Sequence, residues 1–307
     1  MKYYIGNTDF DWYNYLKKIS PEDINFWQPS GFTNFRAIDK GSPFLLKLKN
    51  PINKIAGIGF FTSHSLLPIE FAWEVFQNRN GTQHFVDFYS KIKSYRGSSN
   101  SIKKNPNIGC IVLTNPIFFN EQDWIKIPDN WSRNIVQGKT YNTNNENDRA
   151  YWQNVERLLL KYLNHSFDIT REKTPLYNQY LTNVRIGQGA FRVLVTDAYS
   201  RRCAISGEKT LPVLEAAHIK PYSTSGINAI YNGMLLRADI HKLFDTGYIT
   251  VTDKYKIEIS RKIKEEFENG RDYYKFHGHS LISLPQIKYD LPDRDYLKWH
   301  NENVFRL

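Results

Sequence analysis

The feature that most constrains this chain lies in the 50 residues from Cys203 to Thr252. Val213–Ile219 can form a strand that carries His218, and Pro221 ends it. A Ser/Thr/Gly loop follows, then Asn232-Gly233 and a short apolar run, Met234–Leu236. From Ala238 to Phe244 the pattern turns helical. Residues four apart on a helix share one face, with about 5–6 Å between Cβ atoms. His241 and Asp245 have that spacing, so an imidazole and a carboxylate can grip one cation together. A strand ending in His218 and packed on that helix brings a third polar group to the same point.

This set suits phosphodiester hydrolysis. A divalent ion held by His241 and Asp245 polarises a phosphate and stabilises charge on the leaving oxygen. His218, left off the metal, can take the proton of the attacking water, because an imidazole of ordinary pKa near 6.5 is largely basic at neutral pH. Asn232 can hold the His218 ring in the useful tautomer, and Lys220, Arg237 and Lys242 can contact phosphates. Each piece alone has a plainer reading. A histidine before a proline is usually structural, Asn-Gly is usually a turn, and His241 with Asp245 can be a surface pair worth a few tenths of a kcal/mol. The order His…Asn…His-x3-Asp on a strand–loop–helix frame is what makes chance a poor explanation.

On these residues the stretch from about Arg201 to Val251 resembles the HNH endonucleases, whose ββα-metal motif holds a divalent ion between a hairpin and a helix. The similarity is to the branch written around AAHIKP, NGMLLR and HKLFDTG. The resemblance implies His218 as general base, Asn232 as the orienting Asn, His241 as a metal ligand and Asp245 as the last ligand. Ala217 stands where relatives often place another ligand, which favours Mg²⁺ or Mn²⁺ over tightly held Zn²⁺. With Cys110 and Cys203 as the two cysteines, neither a disulfide framework nor a four-cysteine zinc site is available.

The lead-in RIGQGAFRVLVTDAYSRRCAISG (185–207) resembles restriction-type members of this branch and adds Arg201 and Arg202 as candidate DNA contacts. The front part, through NFWQPSG (25–31), FFTSHSLLP (60–68), Asp123-Trp124 and NIVQGKTY (134–141), resembles the N-terminal domain of bacterial HNH restriction proteins. It is similar to the PUA-like group that includes the SRA and EVE modules, small β-barrels that lift a modified base from the duplex. A flipped base must be stacked between flat side chains and read along its edge. Trp27, Phe32, Phe61, His64, Trp131 and Ser30 are the candidate pocket residues, with Trp27 placed in a turn-rich segment.

Composition agrees with a polyanion partner. Lys and Arg number 41 against 31 Asp and Glu, a net charge of +10 with a pI near 9.3. Residues 1–150 hold 18 basic and 13 acidic side chains and residues 151–307 hold 23 and 18, so each part carries +5. No apolar run approaches the ~18 residues of a membrane span. The expectation is a cytoplasmic protein acting on double-stranded DNA with no membrane association. The DNA base read is expected to be a modified cytosine.

The expected fold is α+β. A β-barrel-like PUA-like recognition domain at 1–165 carries flanking helices, 166–184 is a linker, and 185–307 is the HNH domain with a C-terminal extension. Strands are expected at Phe44–Leu48, Ile55–Phe61 and Ile108–Leu113, and helices at Ile69–Gln77 and His84–Tyr95. Further helices are expected around Trp152–Leu163 and Gly189–Arg201, while Gly97–Asn107 and Thr140–Asp148 read as exposed polar segments. One HNH site cuts one strand, so a homodimer or paired binding on DNA is expected. The stretch Tyr273–Leu307 packs back on the nuclease or serves that interface. Two other readings stay open. One is an inactive nucleic-acid-binding sensor, motivated by Ala217; the other is a nonspecific nuclease with a protein-binding front domain.

Overall fold

The computed structural model describes residues 1–97, 105–163 and 186–307. The segment 166–184, expected as a linker, lies outside the described residues, as does most of the Gly97–Asn107 loop. The chain forms two compact units, Met1–Ala190 and Phe191–Leu307.

The first unit is built on a seven-stranded mixed sheet. Its strands are β1 (Lys2–Thr8), β2 (Asp23–Gln28), β3 (Pro43–Leu48), β4 (Lys54–Pro68), β5 (Asn107–Phe118), β6 (Ile125–Lys126) and β7 (Gly138–Asn142). The order is β2-β5-β4-β3-β1-β7, with β6 added beside β4. β1 and β3 are parallel, with Tyr4 opposite Phe44, and the other pairs are antiparallel.

Period-two alternation explains why the apolar runs here are so continuous. Tyr4, Phe44, Leu46 and Leu48 join one core with Trp12, Tyr13 and Leu16 of α1 (Phe10–Ile19). Their neighbours Tyr3, Ile5 and Leu45 join another with Trp152, Val155, Leu159 and Leu163 of a later helix. That helix (Glu146–Leu163) is the fourth, after α2 (Ile69–Phe76) and α3 (Phe85–Arg96), and is called α4. With a helix on either face, β3 is buried along its whole length. Lys47 is accepted there because its ammonium donates to Leu48 O and Asn53 Oδ1.

Two local expectations change. Trp27 sits on β2, opposite Cys110 of β5, rather than in a turn. Thr140–Asn142 is not an exposed tract: it pairs with β1 as strand β7, and Tyr141 is buried against Tyr3. Residues 144–147 of that tract are exposed.

The second unit starts within α5 (Gln188–Ala198). β8 (Leu214–His218) and β9 (Gly233–Arg237) form an antiparallel pair in which His218 faces Gly233. α6 (Ala238–Asp245) packs on both strands. β10 (Ile249–Val251) and β11 (Ile257–Ile259) make a second hairpin, followed by α7 (Lys262–Phe267), α8 (Arg271–Tyr274) and α9 (Arg294–Asn303). The Cys203 sulfur accepts from the backbone N–H of Ser206 and Arg237, tying the lead-in to the end of β9. In the first unit, Cys110 accepts from Asn25 Nδ2. Both thiols are fully buried and neither is in a disulfide.

The C-terminal stretch packs back on the second unit, α9 lying against β10. His300 is its anchor, 2 % exposed and stacked on Phe244 at 3.8 Å. Its Nε2–H donates to Phe244 O, and the Thr250 hydroxyl donates to Nδ1, so the neutral ring has both nitrogens satisfied. Burial lowers its pKa to about 4, with the carbonyl of Phe244 opposing. A depressed folded-state pKa means that the unfolded chain takes up the proton first. Stability is therefore intact above about pH 6.5 and falls as pH drops toward 4, by about 3 kcal/mol in total. Thermal unfolding across pH 4 to 8 should show this slope, and His300→Phe should flatten it relative to the parent.

Candidate active site

β8 delivers His218 from its last residue. The ring lies on Phe191 of α5, centroids 4.1 Å apart and planes 10° apart. Asn228 Oδ1 sits 2.8 Å from Nε2. With an amide oxygen facing Nε2, that nitrogen carries the proton and Nδ1 keeps the lone pair. Burial pushes the imidazole below its ordinary value, against the raising pull of Asn228 and Asp245, and His241 adds to the lowering. The ring is thus neutral at pH 7, the state a proton acceptor needs.

His241 and Asp245 meet on one face of α6, Nε2 to Oδ2 at 3.3 Å. Two adjacent ligands of an octahedral ion with ~2.1 Å bonds lie about 3 Å apart, so the pair fits a divalent cation. Among the described residues no three His, Cys, Asp or Glu side chains gather as ligands around one point. Among the described residues the site thus offers two donors, and water or phosphate oxygens would complete the shell. Partial desolvation raises the Asp245 carboxyl, opposed by His241 and Lys242, although about half of the side chain still reaches solvent.

Asn232 is fully buried, and its bonds go to the backbone. Its Oδ1 accepts from Lys220 N, and its Nδ2 donates to Lys220 O and Ile227 O. Its own carbonyl accepts from Ile219 N. It therefore locks the loop between the two strands, while Asn228, carried by that loop, is the side chain that touches the ring. A loop residue has no periodicity to betray it, and sequence reasoning passed over Asn228 for that reason. Glu215 was also passed over. It sits on β8 with Oε2 2.6 Å from His241 Nδ1; the signal available was an acid on the same strand as the histidine.

The expected phosphate contacts are differently committed. Arg237 forms a two-point ion pair with Asp239, at 2.6 and 2.8 Å, and Tyr273 donates to the same carboxylate. Lys220 holds its ammonium over the rings of Tyr296 and Trp299, 5.9 and 5.4 Å from their centroids. Arg201 faces Asp197 at 3.6 Å, and Arg202 donates to Gly207 O. Lys242 is exposed on α6.

The first unit carries a cavity of about 920 Å³. Trp27, Ser30 and Phe32 line it together with Trp12, Tyr95 and Gln137. Phe61 is instead packed in the core with α1, Trp131 lies against the opposite core under Lys47, and His64 is outside the lining. Trp27 gives its indole N–H to Asn80 O and packs edge-on to Phe88 and Tyr95. On the cavity wall, Asp9, Lys49 and Tyr95 form one network: Lys49 reaches Asp9 at 2.7 Å and Tyr95 Oη at 2.9 Å, and that hydroxyl donates to Asp9 at 2.6 Å.

Residues 203–252 match the HNH endonuclease family model, and this stretch is an HNH endonuclease domain. The chain thus carries an HNH endonuclease domain that follows a sheet-built first unit in sequence, in a mixed α+β architecture. Solved structures similar to it include a variant of the ASCH protein of Zymomonas mobilis, at 7% identity and TM-score 0.35, covering 50% of this chain and 97% of that one. The unsubstituted ASCH protein from Zymomonas mobilis gives 6%, 0.34, 48% and 94%. The modification-dependent TagI restriction endonuclease gives 14% identity and TM-score 0.28, over 92% of this chain and 75% of that one. A comparison with curated proteins gives no match. Among the described residues, no helix is long and apolar enough to cross a membrane.

Proposed function

We propose that the chain is a metal-dependent DNA endonuclease of the restriction kind that reads a modified base with its first unit and hydrolyses phosphodiester bonds with its second. The observation that carries this reading is His218, held neutral by burial and pinned at Nε2 by Asn228, within electrostatic reach of the His241/Asp245 pair.

A divalent cation, Mg²⁺ or Mn²⁺ by the donor set, supplies charge stabilisation at the scissile phosphate when bound. His218 Nδ1 accepts the proton of the attacking water, and the proton then rests on a ring whose Nε2–H is already anchored. Phe191 holds the ring plane, so the lone pair keeps one direction between turnovers. Lys242, exposed on α6 and acting electrostatically on Asp245, steers the backbone phosphates.

The cavity of the first unit has room for a flipped base with a substituent, and Trp27 and Phe32 offer ring surfaces on its wall. Modified cytosine is the first candidate. A double-strand cut needs two such sites, which two copies on one duplex provide.

Plasmid DNA bearing cytosine, methylcytosine, hydroxymethylcytosine or glucosylated hydroxymethylcytosine, with Mg²⁺ or Mn²⁺, tests both halves. The expected result is cutting of a modified substrate, stopped by EDTA, with unmodified plasmid spared. Binding without nicking on every substrate and ion overturns the nuclease mechanism. Equal cutting of all four plasmids overturns base reading and leaves a nonspecific nuclease.

A further inference from the structure

We propose that Glu215 is a positioning residue that fixes the tautomer and direction of His241, so that Nε2 is presented beside Asp245 for the cation. This rests on the reading of His241 and Asp245 as the metal pair and assigns a role to a side chain outside that pair.

The geometry is specific. Glu215 Oε2 lies 2.6 Å from His241 Nδ1, while Asp245 Oδ2 lies 3.3 Å from Nε2 on the far edge of the same ring. A carboxylate can only accept, so a bond at Nδ1 places the ring proton there. With Nδ1 so engaged, Nε2 is the nitrogen that can present its lone pair to a cation shared with Asp245 Oδ2, 3.3 Å away. Metal-binding imidazoles are held in this way, with the second ring N–H given to a carboxylate that sets ring orientation and raises ligand basicity.

The backbone explains why Glu215 can do this. β8 pairs with β9 with Glu215 opposite Leu236, and α6 packs across both strands. Glu215 and His218 therefore leave the same short strand toward two different imidazole tasks. His218 is pinned at Nε2 and keeps Nδ1 for a proton, whereas His241 is pinned at Nδ1 and keeps Nε2 for a cation. The two rings need opposite tautomers, and each has its own partner to impose one.

The test is Mn²⁺ affinity of the full chain without DNA, read from the electron paramagnetic resonance signal of free Mn²⁺. Glu215→Ala should weaken Mn²⁺ binding by about 10- to 100-fold. Glu215→Gln keeps an oxygen for Nδ1–H and should stay within about threefold of the parent, because the amide oxygen preserves the tautomer. Thermal unfolding of both variants in EDTA reports any purely structural loss separately. If Gln weakens binding as much as Ala, Glu215 is a ligand and the positioning role is wrong. If neither variant changes affinity, the contact is a surface ion pair and the proposal falls. If His241→Ala and Asp245→Ala also leave Mn²⁺ binding unchanged, the metal pair itself is misassigned, an outcome distinct from failure at Glu215 alone.

Discussion

His218→Ala leaves a folded chain whose strand cleavage falls by about 10² to 10⁴, the range contributed by a positioned general base. Most of the surrounding structure survives the change, because the ring is a partly exposed side chain at the end of β8 and its main fixed contacts are Phe191 and Asn228. Mn²⁺ affinity should be retained, since His218 is not one of the two donors on α6. Single-turnover nicking at saturating Mn²⁺ is the measurement. A variant that cuts at the parental rate would remove His218 from the mechanism. The acid side of the parental profile carries a second signature. Burial lowers the His218 pKa, so cutting persists somewhat below pH 6.5 before the base is protonated.

The second large effect is on stability. Asn232→Ala removes one buried acceptor and two donations, leaving the N–H and C=O of Lys220 and the C=O of Ile227 to find other partners. Unmet buried polar groups cost about 1–3 kcal/mol each, and partial access of water to the loop reduces the sum. The expected loss is about 3 kcal/mol or more, seen as a lower urea midpoint for the C-terminal unit. Asn232→Asp keeps the acceptor for Lys220 N but cannot donate, and should fall between the parent and Ala. Cleavage should drop in both variants beyond the stability loss, because the same loop carries Asn228 to the His218 ring.

Most of the nuclease frame was legible because its signals are local. The apolar run before Pro221, the Asn-Gly step and the four-residue spacing of His241 and Asp245 each report on a few neighbouring residues. They mark β8, the start of β9 and one face of α6. The partners of those side chains were harder to read. Asn228 reaches His218 from a loop, and Glu215 reaches His241 across a strand–helix contact 26 positions away. Neither approach leaves a pattern in sequence. Long cations were least legible, because Arg237 and Lys220 settle on Asp239 and on the Tyr296/Trp299 rings, choices made by packing.

The front half shows the same division. β3, β4 and β5 declare themselves as apolar runs bounded by Gly, Pro and Asn, but β4 extends well beyond its apolar part, through Ser63 and Ser65 to Pro68. β1, α1 and β2 went unread. Trp27 looked like a turn residue because Pro29 and Gly31 follow it, yet its strand is made by pairing with Cys110, 83 positions away. Strand partners of that separation outweigh local propensity.

The sealed thiols have a practical consequence. Cys110 lies in the first unit and Cys203 in the second, and both sulfurs are shut off from solvent. A thiol-modifying reagent added to the native chain can reach either one only during an opening excursion. The two alkylation rates therefore act as separate clocks for breathing in the two halves, with no foreign label inserted.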